Sequence, residues 1–358
     1  MLRPRRGLAA IIVAALAAGS GAAAGCASPG SPGSPARPGS AQDQTPGGAR
    51  TDVPEPATAP PVTRRPAGRV VALAGDPEGL AVDARDGIVA AGIRQPDGVA
   101  LVDAATGRER QVIRLPGAPR HLELAGPAGP VLAPLEDVDR LVQIALPGGA
   151  VTGNTRVGRH PHDAAADGSL IFVGNEYSST VSLIRGGRQV RVEPGPLQPG
   201  GVAAGGSFVL VVGVRGRRVE AFAAGGRVLG TARAGVGPTH VQAGSGGLFY
   251  VADTEGDAVL TFGVNASGPH QVATVRTERG TPYGIAVDHR RGLVYVTLTA
   301  TSELESFRIS GRGLVPGRTW PTVRQPNSVA VDEATGRVFV AGRTGSRLEL
   351  IDPGTGRR

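Results

Sequence analysis

The sequence contains no lysine: all 38 of its basic residues are arginine. Guanidinium groups stay charged at every working pH, so this side of the charge balance does not titrate. The formal charge is +8, and it falls to +5 without Arg3, Arg5 and Arg6, which precede the first apolar run. The other arginines are scattered among acids, with no basic stripe and no interleaved aromatics, which argues against nucleic acid as a partner. A single cysteine, Cys26, excludes an internal disulfide. Aromatic residues make up only 3% of the chain, with one tryptophan, Trp320. Helical periodicity is missing throughout. Also missing are a G-x-S-x-G elbow, a Walker loop, a G-x-G-x-x-G turn after a strand and an H-E-x-x-H pair, so the commonest hydrolase, nucleotide and zinc-protease signatures are excluded.

What the chain does have is glycine and proline, 56 and 30 residues out of 358. This mix suits many tight turns joined by short strands. The N-terminus reads as an address: "MLRPRRG" is a basic region and "LAAIIVAALAAGSGAAAG" an apolar one, the pattern of a secretory signal. The apolar stretch stops at Cys26, and Ala23-Ala24-Gly25-Cys26 resembles the lipobox of bacterial lipoproteins. That resemblance implies a signal peptide over 1–26, lipidation of Cys26 and attachment to the outer side of a cell membrane. If the lipobox is not used, the protein is secreted. Residues 27–68 are rich in Pro, Gly, Ser and Ala and offer almost nothing to bury, so a disordered linker is expected. A tether of this length spans on the order of 35 Å.

From residue 69 the chain repeats. A proline in a glycine-containing loop precedes a short apolar strand in "GDPEGLAV", "GAPRHLEL", "RHPHDAAA", "LQPGGVAA", "VGPTHVQA", "GTPYGIAV" and "RQPNSVAV". The prolines, Pro77, Pro119, Pro161, Pro199, Pro238, Pro282 and Pro326, are 38 to 44 residues apart. That period, with several short strands per unit, marks propeller blades. Three units read "AVD", three residues, then Gly87, Gly292 or Gly336, followed by an apolar run: a strand, hairpin and strand. The last unit stops after its third strand, whereas "GRVVALAGDP" matches "RQVIRLPGAP" position for position. Residues 69–73 are therefore expected to supply the missing strand beside residues 348–352, sealing a ring of seven four-stranded antiparallel blades over 69–358. The fold class is all-β, a seven-bladed β-propeller.

"FVGNEYSSTVSLI", "FYVADTEGDAVLTF" and "VALVDAATGRERQVIRLPGAP" resemble the YVTN/YncE-type seven-bladed propeller repeat, which is related to NHL repeats. The resemblance covers the whole folded part. It implies an extracytoplasmic binding module, although relatives on the same architecture include lactonases and a streptogramin lyase, so fold does not settle function. Propellers that stack a quinone use repeated tryptophans, and the single Trp320 argues against that group; its place in "RTWPTV" fits packing at a blade edge.

In such a blade the first strand lies nearest the axis, and the loops leading into it crowd the mouth of the central channel. The residues after each proline should therefore converge: Glu78, Arg120-His121, His162-Asp163, Gly200-Gly201, Thr239-His240, Tyr283 and Asn327-Ser328. The second loops on that face add Arg94, Glu136, Asn175, Glu176, Tyr177, Arg215, Asp253, Glu255 and Arg343. His121, His162 and His240 are the candidate catalytic residues, as general base or metal ligand, with carboxylates orienting them. Glu78 and Asp163 are the candidate ligands of a divalent metal. His121 and His162 come from adjacent blades; His240 comes from further round and is expected to need a wide channel bridged by ligand or water. Against this stands a scaffold role, in which each imidazole satisfies backbone groups of the next blade. His160 faces the same choice, and His270 and His289 read as turn residues.

Two functions fit these residues. One is a non-catalytic binding module presenting its channel mouth to an envelope protein, a cell-wall component or a small ligand. The other is a lactonase- or lyase-like enzyme using the three histidines, with or without a divalent ion. Nothing in the sequence requires a cofactor, and a monomer is expected.

Overall fold

The computed structural model describes residues 53–354. The expected signal peptide with Cys26, the linker up to residue 52, and residues 355–358 lie outside the described residues. Within them, seven four-stranded antiparallel sheets follow one another in chain order. The one helical element among the described residues is a 3-10 turn, Glu136–Val138.

The first strands are Asp76–Asp83, Glu123–Leu124, Pro161–Asp167, Pro199–Gly205, Pro238–Ala243, Pro282–Asp288 and Pro326–Asp332. Each packs against the first strands of both neighbouring blades, which closes the circle around an axial channel. The seal is the one the repeat count requires. Arg69–Ala72 pairs antiparallel with the last strand of blade 7, Arg69 opposite Leu350 and Ala72 opposite Arg347. An otherwise open edge is thereby covered.

Second strands are apolar on both faces because both are buried between blades. In Ile88–Arg94, Val89, Ala91 and Ile93 face blade 7 while Ile88 and Ala90 face blade 2, the period-two split of a strand. Seven apolar clusters result, one in each interface between blades. The few aromatics are concentrated there: six of the seven phenylalanines are fully buried. The hairpin aspartates hold the turns. Asp83 Oδ1 accepts from the amides of Arg85 and Asp86, and Gly87 takes the positive φ the turn requires.

One feature differs from the composition-based expectation. Residues 53–68, placed in the linker by composition, lie along the propeller. Val53 packs on the cluster between blades 4 and 5, and Ala57 N donates to Thr299 Oγ1 at 3.0 Å. The carbonyl of Ala59 accepts two hydrogen bonds from Arg324, at 2.6 and 3.0 Å. Gly68 N donates to Glu349 at 2.7 Å just before the closing strand. Five prolines in this stretch limit its freedom when unfolded, so ordering it costs less entropy than ordering a glycine-rich chain.

Candidate functional site

The leading loops set the site. After its proline, the first strand of six blades shifts register against the second strand, including Pro77/Gly79, Pro161/Asp163 and Pro238/Val241. At such a bulge two residues oppose one, and side chains are re-aimed. In blade 2 the isolated Pro119–Leu135 bridge is likewise one residue out of step with the Glu123–Leu132 pair, so both the first residue after the proline (His162) and the second (His121, His240) reach the axis. Glycine makes the room. A Cβ on Gly79 would lie 2.8 Å from the Cα of His121, and one on Gly201 2.8 Å from the Cα of His240. Each of these histidines enters the channel where the preceding blade has no side chain.

The three imidazoles meet. His121 and His240, from blades 2 and 5, place their Nε2 atoms 2.9 Å apart. The ring of His162 lies 4.7 Å from that of His121 and 5.7 Å from that of His240. The expected wide channel is thus corrected: bulges and neighbouring glycines bring blades 2 and 5 close enough for direct contact. All three residues are at least nine-tenths buried. Burial holds the imidazoles neutral. His240 is pushed down to about 3 by desolvation and then Arg120. Desolvation also holds His121 and His162 well below the usual range, reinforced by the other imidazoles and Arg120. Tyr283 meets His240 edge-on at 4.4 Å, and burial raises its phenol to about 12.

Above the histidines lies a charged cluster from blades 1 to 3. Arg94 pairs with Glu78 and Glu136, and Arg120 reaches Glu78 at 3.1 Å. His160 contacts Glu136 at 3.1 Å and Glu176 at 3.4 Å, and stacks on Tyr177 at 4.0 Å. Desolvation opposes charge on Glu136, but His160 and the two arginines prevail and lower its carboxyl to about 2. The same contact raises His160 against its own desolvation. For Glu176 burial wins, and its carboxyl is raised despite Arg120.

Deeper in the channel a cavity of about 40 Å³ is bordered by His121, Glu123, Asp163, His240, Gln242, Asn327 and Ser328. Burial pushes the Glu123 carboxyl up to about 7, against a hydrogen bond from Gln242. Glu123 and Gln242 were not anticipated by the sequence reading. Each stands two residues beyond a histidine, and the period of two that aims His121 and His240 at the axis aims them too.

The other candidates fall into two groups. Glu78, Arg120, Glu176, Tyr283 and Asn327 reach the mouth or channel. Asp163 borders the cavity, but its two oxygens accept from the amides of Ala164 and Val202, at 2.8 and 2.9 Å, tying blade 3 to blade 4. Asn175 binds Thr180 and Ser182 within its own blade, and Asp253 accepts from the amides of Val236 and Gly237. These two shape loops. Glu78 is held by arginines, so neither it nor Asp163 stands with the imidazole nitrogens as a ligand group.

No family matches the chain, and no curated protein matches it. Solved structures do. Hydrazine synthase from Kuenenia stuttgartiensis is 15% identical, over 82% of this chain and 98% of that chain, with a TM-score of 0.66. A streptogramin B lyase is 11% identical over 80% and 96%, at 0.67. Virginiamycin B lyase from Staphylococcus aureus is 11% identical over 79% and 98%, at 0.65. The likeness is one of fold alone. A shared fold carries no role with it, so the site has to be judged on its own chemistry.

Proposed function

We propose that the protein is an extracytoplasmic binding module of the YVTN/YncE type, lipid-anchored through Cys26, that holds a small polar ligand at its channel mouth. The carrying observation is the convergence of Arg94, Arg120, Glu78, Glu136, Glu176 and His160 directly above three buried imidazoles. Donors and acceptors from three blades surround one opening, and the imidazole floor is uncharged. A polar molecule entering there exchanges water for fixed hydrogen-bonding groups. A thermal-shift screen of small carboxylic acids, sugars and cell-wall muropeptides tests the reading. A hit should be lost in Arg120→Ala and weakened in Tyr283→Phe, and kept in Trp320→Phe, which alters a blade edge. Absence of any hit, or hits indifferent to Arg120, would overturn it. The anchor is tested separately: wild type should fractionate with membranes and Cys26→Ser should not.

A second reading, a lactone-opening or lyase-type enzyme, draws on the neutral His121–His240 pair, since a neutral imidazole can accept a proton from a bound substrate. Turnover of a lactone panel that disappears in His240→Asn would favour it over binding alone.

A further inference from the structure

We propose that His121, His162 and His240 bind one divalent transition-metal ion of the zinc class on the channel axis, through three imidazole nitrogens. The ion is a ligand distinct from whatever the mouth above it holds, so the two readings stand or fall separately.

One ligand atom from each ring lies within 4.8 Å of the others. Bonds of about 2.0–2.1 Å put the nitrogens of a tetrahedral zinc site about 3.4 Å apart. The His121–His240 pair, at 2.9 Å, has to open by about half an ångström, and a turn of the His162 ring closes the remaining gap. Both are side-chain adjustments that leave the blades in place.

A scaffold role alone leaves these imidazoles incompletely satisfied. If these imidazoles served to satisfy the next blade's backbone, their nitrogens would be spent there. Instead His162 Nδ1 and His240 Nδ1 are buried without a hydrogen-bond partner. His162 and His240 each have a backbone contact in the next blade, at Gly200 and at Tyr283, that stops short of a well-formed hydrogen bond at Nδ1; a metal-ligating imidazole makes just such an outer contact with its second nitrogen. Buried polar atoms left unpaired are costly, and two together in one place call for a reason. Among the described residues, the hydrogen-bond partner of His121 is another imidazole nitrogen, an arrangement in which one ring must donate and the other accept.

The donor atoms select the ion. The donor set is three nitrogens with no carboxylate, which disfavours calcium and magnesium, ions that take oxygen. Imidazole suits zinc, copper, nickel and cobalt. The adjoining cavity of about 40 Å³ has room for water on the ion's open side. Arg120 is a nearby positive charge, offset by Glu78 at 3.1 Å and Glu136 at 3.8 Å.

The test uses the untagged full-length chain, stripped with chelator and titrated with Co²⁺ and then Zn²⁺. The expected result is one equivalent per chain, a visible cobalt spectrum of the intense four-coordinate kind, and a rise in melting temperature. His162→Asn and His240→Asn should each weaken binding on the order of 100-fold or more, since losing even an outer-shell partner costs 10–100-fold. His160→Asn, in the same mouth but outside the set, should leave the cobalt spectrum unchanged. Substoichiometric uptake, a weak six-coordinate spectrum, or binding that survives the His121→Asn/His240→Asn double substitution would each overturn the proposal. Should the variants fail to fold, the stoichiometry and spectrum of the wild type decide it alone. Ligand binding measured on stripped protein reports on the mouth and not on the ion.

Discussion

The wall of the ring and the mouth of its channel are built from the same repeat by opposite rules. In the wall, the corresponding strands of all seven blades do one job: they fill an interface with Val, Leu, Ile, Ala and an occasional Phe. At the mouth, the two positions after the proline hold seven different pairs. Blades 1 to 3 put charge there, in Glu78, Arg120 and Asp163, whereas blades 4 to 7 offer Gly200-Gly201, Thr239-His240, Tyr283-Gly284 and Asn327-Ser328. Repetition therefore buries area, and departure from repetition makes a site. A position that varies among otherwise equivalent repeats is under less packing constraint, and it can carry chemistry without opening the ring.

Removing the closing strand should break the wall most severely. Deletion of residues 1–72 leaves Arg347–Ile351 as an unpaired edge and opens blade 7 to blade 1. The Gly68–Glu349 hydrogen bond goes with it. An exposed edge strand is a template for pairing with another chain. The expected outcome on size-exclusion chromatography is loss of the monomer peak to aggregate. A deletion ending at residue 52, which spares both the closing strand and the strap formed by residues 53–68, should elute as a monomer.

A smaller change separates the mouth from the wall's own turns. Gly201→Ala places a methyl 2.8 Å from the Cα of His240, backbone that cannot swing aside as a side chain end does. The expected loss is about 2–3 kcal/mol, the cost of overpacking a tight interface. Gly87→Ala is the matched control: its Cβ meets nothing within 4 Å, and only its φ of +59° is unfavourable. It should cost about 1 kcal/mol. Urea unfolding midpoints of the two variants compare close approach with turn conformation. If Gly201→Ala proves the milder of the two, glycine is not what admits His240 to the axis.

The wall was legible in the sequence because it is periodic. Seven prolines counted the blades, and the match of "GRVVALAGDP" to "RQVIRLPGAP" located the seal at Arg69–Ala72. The mouth was legible as a membership roll: His121, His162, His240, Glu78, Arg120 and Tyr283 were all placed on one face by their offset from proline. Distances were not. That blades 2 and 5 touch across the axis depends on bulges and on Gly79 and Gly201, which shape backbone without announcing it in the pattern. Asp163, Asn175 and Asp253 share sequence positions with true mouth residues, yet Asp163 spends its oxygens on strand amides of blades 3 and 4 and the other two bind within their own loops and blades, and only the coordinates show which atoms are already engaged. The strap over 53–68 was hidden for another reason: its composition matches a linker, and its contacts are mostly backbone hydrogen bonds that side-chain chemistry does not encode.

The gentlest comparison is by pH, where mouth and wall should respond with opposite sign. Glu136 in the mouth has its carboxyl lowered to about 2 from an ordinary 4.5, its partners His160, Arg120 and Arg94 outweighing burial. It favours the folded state above the ordinary value, and that contribution is lost as pH falls from 4.5 toward 2. Glu220, on the third strand of blade 4, is raised to about 7 by burial and, less, by Glu193. The folded state holds its proton while the unfolded chain gives it up, so this contribution is complete below 4.5 and is lost as pH rises toward 7. Glu220→Gln should therefore match wild type at pH 4 and be more stable at pH 8. Glu136→Gln should be less stable at pH 7 and show a shallower decline in acid. Urea midpoints measured from pH 2 to 8 read both slopes. Parallel profiles for the two variants would mean that these carboxylates do not feel the different surroundings that wall and mouth give them, and that burial alone governs both.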